Sequence, residues 1–461
     1  MSTQDTESSL TRPPLSMSVL PEVFLAPEGT RERIGLEVEA GVLDETTGLA
    51  APYDGPHGMA ALLHEVLRDW GGSPQWADDV LTGVHLPDGT KLTLEHGGQL
   101  EYSSPPADDL VTLVTAMRGT MEPMAALARR HGLAIVPGGN LPFNRADSTT
   151  WVPTVRGGVM RTYFAGLGSG GERAPHIMRL STSTQTTLDH LDEDDLASKL
   201  RVQVAASPVV AALLVNSPLY AGNLDGVLSH RCQDWLRMDP RRCGSPRPAL
   251  RTPLTAKSIT DWALSVPMIY RHSPSGYRLA GPRPFADHMR HGFDDGTAPR
   301  WEDWLSHLDQ LYTTVRVRGT LETRAPDGPP YPNIPAVPAL WTGLTYDAPA
   351  REAAWELLRR YTPQESDAAH QALPTAGLAT RLGADSVRDL ARHLVQLART
   401  GLQARVDAGV ERSEAVGYLD PLEEILDTGE TFAEQTARRW RTSYRNDPAR
   451  YVAAHRIPPA T

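Results

Sequence analysis

The segment from Leu311 to Asp327, LYTTVRVRGTLETRAPD, constrains the fold of this chain most strongly, because its polarity alternates residue by residue. Val315, Val317 and Leu321 fall on one side of this alternation. The opposite side carries only polar or charged residues: Arg316, Arg318, Thr320, Glu322 and Arg324. Successive side chains of a β-strand point to opposite faces, so the pattern predicts strand structure with one apolar and one charged face.

Three other stretches repeat this alternation with acidic or amide residues on one face. RIGLEVEA places Glu37 and Glu39 on the same side, KLTLEHGGQLEY carries Glu95 and Glu101, and STSTQTTLD carries Gln185. A single strand of this kind would simply turn its polar face to water. Four of them in one antiparallel sheet predict an α+β fold, in which the sheet forms a concave active-site cradle and helices pack on its other face.

The charged face also indicates a chemistry. Clustered carboxylates repel one another unless cations neutralise them. Oxygen ligands without a cysteine and histidine set suit Mg²⁺ or Mn²⁺, and arginine suits phosphate. The four stretches therefore favour a cradle for a metal ion and a nucleotide.

Composition narrows the partners. The formal net charge is −11, so no nucleic-acid partner is expected. The polar N-terminus has no signal-peptide pattern, and the apolar run Val204–Val215 is too short to span a bilayer, so we expect a cytoplasmic protein without a membrane partner. Cys232 and Cys243 are too few for a disulfide framework or a metal site.

The segments of the chain, taken in order, predict one large catalytic domain. Residues 1–20 are expected to be a disordered tail, residues 21–440 a single catalytic domain that is mainly helical from 335 to 440, and residues 441–461 a C-terminal tail. Within the domain, the sequence predicts a third acidic-face strand over Leu180–Asp189 and a helix over Asp192–Val215 with a break at Pro208.

Seven motifs in order resemble one family, the plant-type glutamate–cysteine ligases and their bacterial relatives of the ergothioneine and glutathione pathways. The motifs are IGLEVEA, LEHGGQLEYSS, STSTQTTLD, NSPLYAG, VRVRGTLETRAPD, the helical pair LWTGLTYD and LPTAGLATRLG, and a spaced S-x-R…W…DP-x-R pattern from Ser229 to Arg242. The resemblance runs from about Ile34 to Trp440.

This resemblance implies a glutamine synthetase-like carboxylate–amine ligase. It implies that ATP activates the γ-carboxylate of glutamate as a γ-glutamyl phosphate, which an amine then attacks, cysteine being the expected amine. The expected partners are small molecules, ATP and the two substrates, with Mg²⁺ or Mn²⁺, and the protein is expected to be a monomer or a homodimer.

The resemblance also implies site residues by motif. The metal-ligand candidates are Glu37, Glu39, Glu95, Glu101, Gln185 and Glu322. The catalytic candidates are Arg231, Arg316 and Arg324. The substrate- and nucleotide-binding candidates are these three arginines together with Arg318, Arg242, Tyr102 and Trp235.

Several positions depart from the family pattern. His96 replaces a proline, and Tyr102, Ser104 and Leu180 replace a leucine, a glycine and an arginine. If Leu180, Tyr102 and Ser104 line the amine subsite, an amine other than cysteine is tolerated or preferred. The alternative is that these positions lie in the core and that the enzyme is an ordinary glutamate–cysteine ligase.

Other functions stay open at this point. A specialised ligase could join a different acid and amine on the same scaffold. A silent or hydrolytic relative would bind Mg-ATP or a γ-glutamyl amide without amide synthesis. A glycoside hydrolase could use two carboxylates on a sheet, but it would leave the arginine row unexplained.

Overall fold

A single large antiparallel sheet organises the molecule. In this computed structural model the structure describes residues 15–251, 253–273 and 276–460. In chain order the strands are β1 (Ile34–Asp44), β2 (Ser73–Ala77), β3 (Val80–His85), β4 (Lys91–Leu94), β5 (Leu100–Ser103), β6 (Leu133–Pro137), β7 (Thr184–Asp189), β8 (Leu219–Tyr220), β9 (Asn223–Leu224), β10 (Cys243–Gly244), β11 (Tyr270–Ser273), β12 (Gly276–Leu279), β13 (Tyr312–Thr313), β14 (Val315–Val317), β15 (Thr320–Thr323), β16 (Arg381–Leu382) and β17 (Asp385–Ser386).

Nine of these strands form the main sheet, in the order β14-β15-β7-β1-β5-β4-β3-β2, with β6 pairing the second half of β1. Its neighbouring strands pair antiparallel. Smaller two-stranded pairs join β8 to β9, β10 to β13, β11 to β12 and β16 to β17. The predicted α+β class with an antiparallel sheet is confirmed.

Helices complete the fold. They are α1 (Met59–Trp70), α2 (Leu110–Arg130), α3 (Val155–Gly166), α4 (Ala174–Leu180), α5 (Glu193–Leu213), α6 (His230–Trp235), α7 (Ala256–Leu264), α8 (Phe285–His291), α9 (Trp301–Asp309), α10 (Ala336–Tyr346), α11 (Ala348–Leu358), α12 (Pro363–Ala376), α13 (Val387–Asp407), α14 (Glu414–Gly417), α15 (Asp420–Thr428), α16 (Phe432–Arg441) and α17 (Pro448–His455). Short 3₁₀ helices cover Leu20–Phe24, Gly168–Gly171, Tyr331–Asn333 and Gly377–Ala379.

The central strand β1 separates the core from the polar face. Leu36 and Val38 are buried in the main hydrophobic core, together with residues of α1, α2, α10 and α13. Glu37 and Glu39 alternate with them and therefore point to the other side of the sheet. The helices thus cover one face of β1, and its acidic face is left for the cavity described below.

The apolar side of the β14–β15 hairpin packs on a second core. Val315, Val317 and Leu321 are buried there among residues of α5, α7 and α9. The alternation in the sequence predicted that Arg316 and Glu322 share one face, and the main-chain pairing places them directly opposite each other. The hairpin is therefore anchored by its apolar face and presents its charged face to the same side as Glu37.

Among the residues that the structure describes, α5 is the one helix that is long and apolar enough to be considered as a membrane span. However, 89% of the apolar stretch is buried inside the protein. Its composition is that of a core helix. The predicted break at Pro208 is wrong, because Pro208 lies inside an unbroken helix from Glu193 to Leu213.

Three predicted boundaries are corrected by the structure. Of the predicted tail 1–20, residues 1–14 lie outside the described residues, but Leu20 is fully buried and its carbonyl accepts a hydrogen bond from Trp304. The predicted strand Leu180–Asp189 begins only at Thr184, because Leu180 ends α4.

The predicted C-terminal tail 441–461 is also wrong. It contains α17, and Tyr451 and Val452 are buried against β6 in a small core that also holds Trp440. The Ile457 amide then donates to the Ile135 carbonyl at 2.8 Å. These apolar side chains need a partner surface, and β6 supplies it.

Candidate active site

Four strands of the sheet bring the predicted acidic residues onto one face. Glu37 lies opposite Gln185 across the β1–β7 pair, and Glu39 lies opposite Glu101 across the β1–β5 pair. Gln185 Nε2 donates to Glu39 Oε1 at 2.8 Å. The common face expected from the alternating pattern is therefore present in the structure.

Three carboxylates converge on this face. Oxygen atoms of Glu39, Glu95 and Glu101 all lie within 4.8 Å of one another. Burial raises the pKa of Glu95 to about 8, and the charges of Glu101 and Glu39 add to the effect. Burial and Glu101 likewise raise the pKa of Glu39. A divalent cation would relieve this repulsion, so the donor set fits a hard, oxygen-liganded ion.

A second acidic group faces two arginines. Arg316 Nη1 donates to both oxygens of Glu322, at 3.1 and 2.9 Å, and Arg324 Nη1 donates to Glu322 Oε1. Burial alone would raise the pKa of Glu322, but the two guanidinium groups hold it at about 2. The pKa of Glu37 is raised well above its usual value by burial and by the nearby charges of Glu322 and Glu101.

Arg316 and Arg324 each have one side-chain donor without a hydrogen-bond partner. These donors are the Nε atoms, and both are buried. Buried donors of this kind are normally satisfied, so they mark places where an anionic ligand oxygen fits.

Both the oxygen and the nitrogen of the Gln185 amide are hydrogen-bonded to other side chains of the protein. Its Oε1 accepts from Arg324 Nη1 at 3.0 Å, while its Nε2 donates to Glu39 and to Ser183 Oγ. In this arrangement it ties Arg324 to Glu39 and does not offer a free oxygen for a metal ion.

Two residues of the acidic face, Glu39 and Glu95, line one cavity of about 270 Å³ together with Arg316 and Arg324. Its lining divides into two parts. The polar part consists of Glu39, Glu95, His96, Arg156, Ser181, Asp309, Arg316 and Arg324, and the apolar and aromatic part consists of Met160, Ile177, Met178, Trp235, Met238, Tyr270 and Tyr312.

A tight hairpin between β4 and β5 delivers Glu95 and His96 to this cavity. A side-chain carbon at Gly97 would lie 2.2 Å from the Arg179 carbonyl, so only glycine permits this close approach. Gln99 closes the turn by accepting from the Gly97 amide and donating to the Ser181 carbonyl, at 2.9 Å each. Burial, with the charge of Arg156, lowers the pKa of His96 to about 3, so this imidazole is neutral.

Two predicted binding residues lie elsewhere. Tyr102 is fully buried in the main core, because it alternates with Glu101 and so points to the helix side of the sheet. Arg242 is also fully buried, and it donates to Asp239, to Tyr163 and to the carbonyls of Gln310 and Pro267. The proposed substrate role of both residues is therefore corrected to a structural role.

Arg231 supports the loop that follows β15 rather than lining the cavity. It is buried, and its guanidinium donates to the main-chain carbonyls of Arg324, Ala325 and Pro326, at 2.8, 3.1 and 3.2 Å. Its predicted contact with the substrate is therefore replaced by a contact with the backbone that carries Arg324.

Trp235 lies between two of the predicted arginines. The guanidinium carbons of Arg231 and Arg324 lie 4.7 and 5.6 Å from the centre of its ring. Its Nε1 donates to the Tyr312 carbonyl at 3.0 Å, and its ring lines the cavity. Arg318 pairs with Asp309, a residue of the cavity rim, and does not line the cavity itself.

The three positions expected to alter the amine subsite do not line the cavity. Leu180 is buried in the small core beside β6, and Tyr102 is buried in the main core. Ser104 accepts a hydrogen bond from the Leu36 amide through its Oγ. The prediction that these three residues line the amine subsite is therefore wrong. A departure from the family motif shows that a residue type has changed, but it does not show which face of the sheet that residue occupies.

Sequence reasoning missed much of the cavity wall. Arg156 and Met160 lie on α3, four residues apart, and this spacing is a usable signal for one helix face. Tyr270 and Tyr312 come from β11 and β13, which are distant in sequence. Nothing in their local pattern separates them from ordinary core tyrosines.

Comparisons with known proteins agree with this geometry. The profile of Glutamate-cysteine ligase family 2 (GCS2) matches residues 33–454. The chain is similar to the chloroplastic glutamate–cysteine ligase of Brassica juncea, with 28% identity over 405 residues, which is 87% of this chain and 76% of that protein. The Arabidopsis thaliana protein of the same name is 28% identical over 406 residues, 87% of this chain and 75% of that protein.

A solved structure extends the comparison to the fold. Glutamate–cysteine ligase of Francisella tularensis, in complex with AMP, superimposes with a TM-score of 0.54 and 12% identity, covering 92% of this chain and 88% of that chain. Neither set of relatives supports the glycoside hydrolase alternative. Because the family profile spans nearly the whole chain and the carboxylates and arginines meet in one cavity, the chain belongs to glutamate–cysteine ligase family 2 and is an ATP-dependent carbon–nitrogen ligase that joins a carboxylate to an amine.

Proposed function

We propose that this ligase joins the γ-carboxylate of glutamate to the amine of cysteine through a γ-glutamyl phosphate. One observation carries the proposal: Glu39 and Glu95, from a group of three converging carboxylates, line the same cavity as the arginine pair Arg316 and Arg324. Phosphoryl transfer needs cations around the phosphate oxygens and little covalent chemistry from the protein. The cavity supplies positions for both kinds of cation.

Arg316 and Arg324 are the groups we assign to the phosphate and acyl oxygens. The Nε donors of both arginines are buried and have no partner, and hydrogen bonds to Glu322 hold both guanidinium groups in place. Donors held in place before the reaction stabilise the charge that develops on oxygen without having to reorganise. The AMP bound by the Francisella ligase supports the assignment of a nucleotide to this fold.

Mg²⁺ or Mn²⁺ is the metal we propose. Glu39, Glu95 and Glu101 would hold it, because their oxygens converge, and Glu37 lies close enough to Glu101 for the two charges to repel. When bound, such an ion neutralises phosphate charge and polarises the transferring group. The protein's part is to keep several carboxylates close together, where burial and mutual repulsion raise the pKa of Glu39 and of Glu95.

The amine and the pathway remain parts of the proposal. Glutathione synthesis and ergothioneine synthesis both begin with this reaction in the family that the chain resembles. A specialised ligase with another amine is the second candidate, because methionine and aromatic side chains line part of the cavity.

The test is ADP release from Mg-ATP with glutamate and a panel of amines at equal concentration. We expect release only when both substrates are present, with cysteine the best amine, and a hydroxamate when hydroxylamine replaces the amine. No product with glutamate and any amine contradicts the activated acid. Strong preference for an amine other than cysteine supports the specialised ligase.

A further inference from the structure

Two imidazole side chains from distant parts of the chain meet at the ends of two helices. His57 comes just before α1, and His131 comes just after α2. Their Nδ1 atoms lie 3.2 Å apart, and the two ring planes are inclined at 70° to each other. Both helices pack in the main core, on the side of β1 away from Glu37 and Glu39. The histidine pair is therefore separate from the active-site cavity.

The backbone fixes the position of both histidines. Gly58 lies between His57 and α1, and a side-chain carbon at Gly58 would lie 2.5 Å from the Asp54 carbonyl oxygen, so the chain turns tightly there. At the end of α2, the His131 amide donates to the Ala128 carbonyl at 2.9 Å. Each imidazole is thus attached to a main chain that neighbouring main-chain contacts hold in place.

Glu65, on α1, orients His131 through its other ring nitrogen. Glu65 Oε1 lies 2.9 Å from His131 Nε2, and Arg130 Nη2 donates to Glu65 Oε2 at 3.1 Å. A carboxylate only accepts hydrogen bonds, so the imidazole proton is on Nε2. In the neutral ring, the lone pair of Nδ1 is then directed towards His57. A carboxylate on the far nitrogen is the usual partner of a histidine that binds a metal ion.

The separation of the two Nδ1 atoms suits a single metal ion. Zn²⁺ binds imidazole nitrogen at about 2.0–2.1 Å, so two nitrogens 3.2 Å apart can share one ion at an angle of about 100°, close to tetrahedral. Imidazole suits Zn²⁺, Cu²⁺ and Ni²⁺, whereas Mg²⁺ prefers oxygen ligands. The side chains of His131 and Glu65 are only 12% and 21% exposed, but His57 is exposed, so an ion can reach the pair from solvent.

We propose that His57 and His131 bind one divalent transition-metal ion of the zinc class, with water completing its coordination. Glu65 is a positioning residue that acts through His131. The donors are two nitrogens instead of the carboxylate oxygens of the catalytic cluster, and the inference does not depend on the proposed function. Because the ion joins the beginning of α1 to the end of α2, it binds the folded chain and stabilises it.

The first experiment measures the affinity for Zn²⁺ by competition with a chromogenic chelator, in excess Mg²⁺ to fill the oxygen-rich site. His57→Gln and His131→Gln should each weaken binding by about 10-fold or more, and Glu65→Gln by about 10-fold, as expected when the carboxylate partner of a ligand is removed. His64→Gln is the matched control, because His64 is an exposed histidine on α1 that lies against Trp76. It should leave the affinity unchanged.

The second experiment identifies the ligands. Electron paramagnetic resonance of one equivalent of Cu²⁺ on the Mg²⁺-loaded protein should show coupling to two imidazole nitrogens, and to one fewer in His57→Gln. Zn²⁺ should also raise the urea midpoint of the wild type and of His64→Gln, but not of His57→Gln. ADP release by His57→Gln should equal that of the wild type, because His57 lies outside the cavity lining.

Three results overturn the proposal. If the wild type does not bind Zn²⁺, the two histidines are only hydrogen-bonded to each other. Equal Zn²⁺ affinity in the wild type and in either histidine variant removes that histidine from the site. A copper spectrum without two imidazole nitrogens contradicts the shared ion. That spectrum needs no variant, so it still decides the question if a substitution lowers the melting temperature of the metal-free protein.

Discussion

Arg316 and Glu322 face each other directly across the β14–β15 pair, and one guanidinium nitrogen reaches both carboxylate oxygens, at 3.1 and 2.9 Å. Glu322 is buried, and Arg324 also donates to one of its two oxygens. A carboxylate held between two guanidinium groups stays ionised and fixes both of them. The hairpin thereby presents two oriented cations to the cavity.

Glu322→Gln should reduce ATP turnover by about a hundredfold or more, because it releases both arginines. The substitution keeps the volume, so the melting temperature should change far less than the rate. ADP release and a thermal melt measure the two effects. Glu356→Gln, on the exposed surface of α11, is the control. Turnover near that of wild type would contradict the role of Glu322.

Arg324→Lys should also lose most of the activity. Arg324 joins Glu322 and Gln185 through one nitrogen and keeps its Nε free, and a lysine ammonium cannot hold both neighbours and offer a third donor. The expected change is a lower kcat with a smaller change in KM for the amine. Steady-state kinetics with each substrate varied in turn measures it, and Arg278→Lys, at an exposed position on β12, is a suitable control.

Metal binding should depend on pH through Glu95. The pKa of this carboxyl is raised to about 8 by burial and by Glu101 and Glu39, so it holds a proton at neutral pH without a metal ion. Binding of Mn²⁺ must displace that proton. Affinity should therefore rise from pH 6.5 to about 8 and level off above it. Calorimetry in buffers of different ionisation enthalpy measures the released proton, and Glu95→Gln should abolish its pH dependence.

Arg242→Gln should destabilise the protein, because it removes the buried one of the two arginines that pair with the buried Asp239. Breaking a buried ion pair by removing one partner costs about 3–5 kcal/mol. Urea unfolding measures the loss. Arg241→Gln, whose side chain pairs with the same aspartate but is 44% exposed, should cost much less. Equal effects of the two substitutions would contradict the assignment of Arg242 as the buried partner.

Asp234→Asn should stabilise the protein at alkaline pH. Burial raises the pKa of Asp234 to about 7, and Arg173, 3.5 Å away, offsets this only in part. The unfolded chain releases this proton near pH 4, so Asp234 lowers stability progressively from about pH 4 to about pH 7. Asn should recover about 1–3 kcal/mol at pH 8 and much less at pH 4.5. Urea unfolding at both pH values, with the exposed Asp225→Asn as control, tests this.

The alternation of polar and apolar residues predicted the sheet and its charged face. Glu37, Glu39, Glu101 and Glu322 could be assigned to one face because a strand has period two, and this holds whatever the rest of the chain does. The same rule should have excluded Tyr102, which alternates with Glu101. The family could also be identified from local sequence, because the strands that carry the site are short and each lies within one continuous motif.

Only the tertiary structure decided which groups meet. Arg242 and Arg231 match the motif as well as Arg324 does, but burial against main-chain carbonyls gives them structural roles. Arg156 and Met160 enter the cavity because α3 packs against the β11–β12 hairpin, and that packing depends on contacts between segments far apart in sequence. The sequence by itself determined the strands and the ligase chemistry, whereas the apolar and aromatic wall of the cavity was decided by long-range packing, which no local pattern encodes.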